Sequence, residues 1–304
     1  MNSLKKYTIK NWLNEAVNKL EDIKSINKLN ISNTRLDAEI LLLDVIKKSK
    51  VFLYTDSDYI LTNLELKKLD LLLKRRLKGE PIAYIIGHKE FWSLDLKVTS
   101  DVLIPRPDTE LLVEKVLESL PKDKNCKIAD IGTGSGAIAI ALAKERPNWQ
   151  IHAVDLSEKS LKIARQNAVY NHINNIKFYC ADLFTGFENI DFKFDAIVSN
   201  PPYIDINDEY ITNINSIELQ YEPKMALIAE NMGMDIIEKL IKFAPRFLVN
   251  KGFLFIEHGY KQKEDIKNYL KDISLTFSSI NFYQDLNKLD RIVCIKFSDV
   301  KYKL

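Results

Sequence analysis

The tetrad Asn200-Pro201-Pro202-Tyr203 combines residue types that suit one kind of chemistry. Two prolines fix the backbone and withdraw two N–H donors, so main-chain carbonyls there can point outward as acceptors. Asn200 adds a side-chain carbonyl, and Tyr203 adds a flat aromatic face. Such a corner suits a planar NH2 group conjugated to a carbonyl or an aromatic ring. That nitrogen is a poor nucleophile because its lone pair is delocalised. Two acceptors holding its hydrogens favour pyramidalisation and aim the lone pair at a methyl sulfonium. Catalysis of this kind rests on positioning and electrostatics more than on a strong base.

A second cluster lies upstream. Three of the nine glycines fall within five residues, in Asp130-Ile131-Gly132-Thr133-Gly134-Ser135-Gly136. The run follows a strand pattern and opens a helical one, the place where a nucleotide-like ligand meets the backbone at the carboxyl end of a first strand. The loop does not choose the ligand, because Gly132-x-Gly134-x-x-Ala137 also satisfies a permissive dinucleotide fingerprint. Asp155 ends the second strand, 19 residues after Gly136, where a carboxylate can accept both hydroxyls of a ribose. This too is shared by dinucleotide and S-adenosylmethionine enzymes. Asp182 follows the third strand and can receive an adenine amino group, with Leu183 packing on the ring. Away from a ligand, such aspartates serve as caps or turn residues. Asn200 follows the fourth strand on the same edge, and a nicotinamide reading gives it no task.

The elements that must hold these residues are legible in the spacing. Strand patterns KIADI, IHAVD, IKFYC, FDAIVS and FLFIE alternate with helical ones such as 136–145 and 157–170, which indicates a doubly wound, mostly parallel α/β sheet. LTFSSINFYQ and RIVCIKF leave no room for a crossover helix between them and read as antiparallel neighbours. Before Gly79 there is neither Gly nor Pro, and apolar residues recur at helical spacing in Trp12-Ala16-Val17-Leu20, in Leu36-Ile40-Leu43-Ile46 and from Leu64 to Leu77. Asn33 or Thr34 is a cap for the second run. The reading is therefore a helical domain over 1–78 for partner recognition, a hairpin linker over 79–104, and the catalytic domain over 105–304. Pro105 and Pro107 bracket Arg106, after which a helix can open.

Composition excludes several classes. With 46% hydrophobic and 28% charged residues over 304 positions, the chain is neither disordered nor collagen-like. No apolar window reaches the roughly 18 to 20 residues of a membrane span, and the N-terminus lacks a signal-peptide pattern. Cys126, Cys180 and Cys294 are isolated, and none of His88, His152, His172 and His258 is spaced as a metal pair, so neither a disulfide framework nor a metal site is expected. A cytoplasmic protein fits these features. Residues 1–80 carry 16 basic and 11 acidic side chains, a surplus of +5, while the remainder holds 28 against 31, or −3. A base-modifying enzyme needs phosphate contacts and a basic cleft, which the acidic catalytic part does not promise.

On these motifs the chain resembles the release factor glutamine methyltransferases, the PrmC/HemK family, over nearly its full length. The tetrad alone is shared with amino methyltransferases acting on adenine and cytosine. More specific are GEPIAYIIGHKEFWSLDLKVTSDVLIPRPDTELLVE (79–114), Tyr221-Glu222-Pro223, Glu257-His258-Gly259 with Gln262, and Asp290-Arg291. Leu183 stands where some relatives have an aromatic residue. The resemblance implies an N-terminal helical bundle, a β-hairpin linker and a seven-stranded Rossmann-like methyltransferase sheet. It implies methyl transfer from S-adenosyl-L-methionine to the side-chain amide nitrogen, N5, of the glutamine in the Gly-Gly-Gln tip of class 1 peptide chain release factors. By the same likeness Asn200 and the Pro201 carbonyl hold the glutamine amide, with Pro202 stiffening the loop and Tyr203 packing on the substrate. Gly132, Thr133, Gly134, Ser135, Gly136, Asp155, Asp182, Leu183 and Asn200 line the cofactor. Arg106, Asp108 and Glu110 either close the pocket near the methionine end, with Arg106 touching substrate, or form an inter-domain hinge. His258 reads as a satisfied strand-end histidine. The expected partner is the release factor alone, with no stable nucleic acid and no membrane, and the enzyme is expected to act as a monomer. The competing readings are an amino methyltransferase acting on a nucleic-acid base and a non-catalytic cofactor-binding module of translation.

Overall fold

The computed structural model describes residues 7–27, 33–205, 207 and 214–298. The chain divides into two compact units, Met1–Gly87 with Glu209–Tyr221, and His88–Asp208 with Glu222–Leu304. Among the described residues no helix is long and apolar enough to cross a membrane.

The first unit contains helices α1 (Ile9–Asn27), α2 (Thr34–Ile46), α3 (Phe52–Thr55), α4 (Asn63–Leu77) and α5 (Ile82–Ile86). Asn33 caps α2 by accepting the Leu36 N–H at 2.9 Å, and Thr62 with Glu65 forms a reciprocal capping box on α4. Trp12, Ala16 and Leu20 of α1 are buried as their spacing requires. In α2 the spacing misleads. The buried face is Ala38, Leu41, Leu42 and Ile46, whereas Leu36 is exposed and Ile40 and Leu43 are only partly covered. TRLDAEILLLDVI is apolar on nearly every side, so periodicity does not select the face and packing does. Arg76 of α4 is buried and joins Asp37 at 2.6 Å and Glu218 at 2.6 Å, a pairing that compensates its desolvation. α5 lies within the stretch read as linker.

The second unit is built on a seven-stranded sheet. Its strands are β3 (Lys127–Ile131), β4 (Gln150–Asp155), β5 (Ile176–Cys180), β6 (Phe194–Ser199), β9 (Leu248–Glu257), β10 (Phe277–Gln284) and β11 (Asp290–Phe297), in spatial order β10-β11-β9-β6-β3-β4-β5. The five strands from β9 to β5 are parallel; β11 runs antiparallel to both β9 and β10. Helices α6 (Glu110–Ser119), α7 (Ala137–Glu145) and α8 (Glu158–Tyr170) contribute to one core, and α9 (Asp235–Phe243) and α10 (Lys263–Asp272) to the other. Burial on both faces explains the near-continuous apolar runs of the central strands. Strand order reverses between β3 and β6, the topological switch where open α/β sheets bind ligands.

The hairpin, β1 (His88–Phe91) and β2 (Leu94–Lys97), buries Phe91, Leu94 and Leu96 in the core shared with α6 and α7. Its two-residue turn puts Trp92 and Ser93 at φ of 53° and 55°. Side chains hold that turn, Glu110 accepting the Trp92 N–H at 2.8 Å and Glu90 the Ser93 N–H at 2.6 Å. Asn167 of α8 binds the hairpin to the glycine loop. It accepts from Lys97 N at 2.7 Å and donates to the carbonyls of Lys97 at 3.0 Å and Ser135 at 2.9 Å.

Asn167→Leu removes the partner of three backbone groups around a buried side chain, the Ser135 carbonyl in a buried place and the two of Lys97 in partly buried ones. We expect a loss of about 2–4 kcal/mol in urea-unfolding stability; a loss below about 0.5 kcal/mol would contradict this role.

Candidate active site

Sheet register brings the chemistry to one row. Asp130 of β3 stands opposite Ala153 of β4 and Val198 of β6, so two residues further on Gly132, Asp155 and Asn200 emerge side by side. Asp155 in turn pairs with Cys180, which sets Asp182 two residues beyond the end of β5. Ser199 tightens the row by donating to the Ile131 carbonyl at 2.7 Å.

The loop after β3 is a cradle. Gly132 and Gly134 hold φ of 74° and 56°, and a Cβ on either would project into open space. The backbone there is thus bare on the cleft side. The N–H groups of Gly132 and Thr133 both donate to Val154 O at 2.9 Å. Asp155 accepts from Gly134 N and from Ser157 N, each at 2.8 Å and each on a different oxygen, leaving lone pairs on both for further donors. Burial pushes its pKa up. Beneath the cradle Asp130 is wholly buried, accepts the Thr133 hydroxyl at 2.6 Å, and has Oδ1 without a partner among the described residues. Desolvation raises its pKa to about 7.

The loop after β6 is clamped from behind. Asn200 donates through Nδ2 to Thr109 Oγ1 at 3.1 Å. Tyr203 donates its hydroxyl to Glu257 Oε1 at 3.2 Å. Burial first, then the neighbouring Glu257 charge, pushes the Tyr203 pKa far up, so this hydroxyl keeps its proton. Glu257 ends β9 fully buried, and burial raises its pKa to about 7 although the Thr109 and Tyr203 hydroxyls draw it down. Gln262 donates to the carbonyls of Tyr203 at 3.0 Å and Met232 at 3.1 Å and accepts from Gly259 N at 2.8 Å. Gly233 permits this close approach, since a Cβ there would lie 2.1 Å from Tyr203 O. Ile204–Asp205 (β7) then forms a short parallel ladder with Ile228–Ala229 (β8). His258 is buried beside this clamp, with Nδ1 at 2.9 Å from Gly259 O and Nε2 without a partner among the described residues. Burial lowers its pKa.

Between the two loops lies a cleft of about 390 Å³, open to solvent, with Arg106, Thr109, Gly132, Gly134, Ser135 and Asn200 among its lining. Arg106 pairs at 2.5 Å with buried Glu222, whose other oxygen accepts the Ile104 N–H at 3.0 Å. Its sequence neighbours turn elsewhere. Asp108 faces Arg291 at 3.3 Å, and Glu110 serves the hairpin turn. Asp182 and Leu183 lie along the same sheet edge, outside the lining; Asp182 is exposed and Leu183 has a φ of 45°. Pro201, Pro202 and Tyr203 also stand beyond the lining residues. Among the described residues no group of three or more His, Cys, Asp or Glu is placed to hold a metal. Thr109 and the burial of Asp130 escaped the sequence reading. Thr109 sits in a 3-10 turn, Pro107–Thr109, and nothing in its spacing marks a contact to a residue 91 positions away.

Comparison with known proteins agrees with this geometry. Residues 107–217 match the family model described as methyltransferase small domain, and residues 11–87 match the PrmC N-terminal domain. A release factor glutamine methyltransferase of Coxiella burnetii is 47% identical over 85% of this chain and 90% of its own length. One from Buchnera aphidicola of Acyrthosiphon pisum is 40% identical over 96% and 99%. Among solved structures, the hMettl16 catalytic domain, crystallised with the MAT2A 3'UTR hairpin 6, shares the fold with a TM-score of 0.54. It is 17% identical, over 68% of this chain and 77% of that one.

Asp130 yields a pH prediction. Its carboxyl titrates near 3.8 in the unfolded chain and at about 7 in the fold. Between those values the folded state keeps a proton that the unfolded state releases. The associated stability is therefore full below the unfolded pKa and is lost as pH rises through about 7. In urea melts, the stability lost between pH 5 and 8 is expected to shrink by about 1–3 kcal/mol in Asp130→Asn. Equal pH slopes in the two proteins would contradict it.

Proposed function

The chain belongs to the release factor glutamine methyltransferase family, and on that premise we propose how its cleft performs the reaction. It is an S-adenosylmethionine-dependent methyltransferase that methylates glutamine of a release factor. When bound, S-adenosylmethionine supplies an electrophilic methyl on a sulfonium sulfur. The residues present fit that group. The bare backbone at Gly132 and Gly134 leaves room for a ligand against the main chain, and Asp155 keeps acceptor capacity on both oxygens. Gly132 to Gly136 and Asp155 would hold it, with Asp182 and Leu183 further along the edge.

One observation carries the substrate half. Asn200 Nδ2 is engaged by Thr109, so its carboxamide has Oδ1 left as an acceptor at a cleft-lining position. Together with the Pro201 carbonyl, that oxygen holds the hydrogens of the glutamine amide and keeps its nitrogen lone pair directed at the cradle. Pro201 and Pro202 offer no N–H that would compete for the site. The Tyr203 ring, anchored through Glu257 and Gln262, packs against the amide plane. Arg106, held by Glu222, gives a fixed cation at the rim.

The acceptor is the glutamine of the Gly-Gly-Gln motif in class 1 factors, methylated at N5. We assign residues 105–304 to catalysis, 79–104 to the connection and the helical domain, 1–78, to recognition of the factor. All lining residues of the cleft fall within 103–200, which leaves the +5 surplus of the front region without a catalytic task. Acting on a translation protein, the enzyme works in the cytoplasm, as a monomer and without stable nucleic-acid binding.

With radiolabelled donor, a purified class 1 release factor is expected to accept label, and replacing its motif Gln is expected to abolish it. Equal labelling of the altered factor would end the glutamine assignment. Asn200→Ala is expected to cut turnover more than about tenfold while calorimetric donor affinity stays near wild type. Asp155→Ala is expected to do the reverse to affinity, weakening donor binding; an unchanged isotherm would remove Asp155 from the ribose site.

A further inference from the structure

We propose that Arg291 is a positioning residue for the reaction: through its ion pair with Asp108 it braces the Pro107–Thr109 turn to the sheet, and so keeps Thr109 against the Asn200 side chain. The proposal rests on the reading of Asn200 as the acceptor for the substrate amide and adds what holds that acceptor still.

The residue that follows a strand has its backbone placed by the ladder, but its side-chain torsions are set by what the side chain touches. Asn200 follows β6, and its Nδ2 stands 3.1 Å from Oγ1 of Thr109, a buried residue. Thr109 belongs to no ladder. Its N–H donates to the Arg106 carbonyl at 3.1 Å, a bond within the turn that cannot place the turn against the sheet. Side chains do that. Arg106 reaches Glu222, Asp108 reaches Arg291, and Glu110 accepts the Trp92 N–H. Asp108 and Glu110 flank Thr109. Glu110 ties to the tip of the hairpin, which is a loop, whereas Asp108 ties to a strand of the main sheet.

Arg291 is held at both ends of its side chain. Its carbonyl accepts the His258 N–H at 2.8 Å. Its Nε donates to Asp285 Oδ2 at 3.0 Å, and the Asp285 carboxylate is only 3% exposed. The other Asp285 oxygen accepts from Asn287 N at 2.8 Å and Leu289 N at 3.0 Å, so the turn between β10 and β11 fixes that carboxylate in advance. A planar guanidinium anchored through its backbone and Nε has little freedom left at its outer nitrogens. Nη2 is thereby presented 3.3 Å from Asp108 Oδ2. In the sheet β11 is separated from β6 by β9, so the brace ties the partner of Asn200 to a strand other than the one that carries Asn200. The paired side chains are 18% and 38% exposed. Ion pairs so open to water contribute little stability, and the loss of this one should therefore show in turnover more than in melting.

The test uses the full-length enzyme with a class 1 release factor, radiolabelled donor for kcat and calorimetry for donor affinity. Arg291→Met keeps an unbranched chain and removes the charged fork; Asp108→Ala removes its partner. Each is expected to lower kcat at least about fivefold, with donor affinity within about twofold of wild type. Two combinations ask whether the effect runs along the proposed path. Asp108→Ala joined to Arg291→Met is expected to be no more than about twofold slower than the slower single variant, because both break one brace. In an Asn200→Ala background, Arg291→Met is expected to change kcat by less than about twofold, because the group it positions is gone. Wild-type kcat in both single variants, multiplicative losses in their combination, or an Arg291→Met penalty undiminished by Asn200→Ala would each overturn the proposal. Should Arg291→Met melt early, Asp108→Ala alone and joined to Asn200→Ala decides by the same criteria. The two readings separate. Full labelling by Asn200→Ala would defeat the acceptor role and the brace with it, whereas a slow Asn200→Ala beside fully active Arg291→Met and Asp108→Ala would defeat only the brace.

Discussion

The parallel pairing of β3 with β6 is the constraint on which the rest depends. It joins two strands that are far apart in sequence and whose crossovers leave on opposite sides, so a crevice opens between their carboxyl ends. The pairing is in register, and that detail matters. Gly132 and Asn200 each follow by two residues the matched pair Asp130 and Val198. A one-residue slip would reverse the facing of every side chain on the strand and separate the cradle from the acceptor corner.

Around that pairing the protein buries an unusual set of polar groups. Asp130, Glu257, His258 and Gln262 all sit inside, close to the two loops. Each is partly or wholly satisfied by a group belonging to the site: Thr133 for Asp130, Tyr203 for Glu257, Gly259 for His258, and Tyr203 and Met232 for Gln262. Buried polar networks contribute less to stability than well-packed apolar groups, but they specify geometry, because any other arrangement leaves a donor or acceptor unpaired in a low-dielectric interior. Here that specificity lands on two loops that must hold a weak nucleophile still. Catalysis by positioning demands this rigidity, since small misplacements are costly when no strong base compensates.

The hairpin shows how a segment that reads as a connector takes part in the same scaffold. Phe91, Leu94 and Leu96 are core residues, and Asn167 joins the hairpin's last strand to the carbonyl of Ser135 within the glycine loop. Alternating apolar residues in EFWSLDLKV made the strands visible, but alternation does not say which surface a strand will cover. The same limit applies to α2, where a helix apolar on most sides turned a different stripe inward from the one its spacing suggested.

Local physics settled a great deal from the chain alone. Glycines clustered after an apolar run, an acidic residue closing the next strand, and an Asn before two prolines determine a cradle, an acceptor and a donor-free corner wherever they are placed. The alternation of strand and helix patterns determines that they share a sheet, and the short connection near the end determines an antiparallel close. What tertiary structure decided is which groups stand behind those residues. Thr109 behind Asn200, Glu222 behind Arg106 and Asn167 behind Ser135 are separated from their partners by 91, 116 and 32 positions. Hydrogen-bond partners at such distances carry no periodic or propensity signal. They are chosen by the register of strands and the packing of helices, which only the assembled chain possesses.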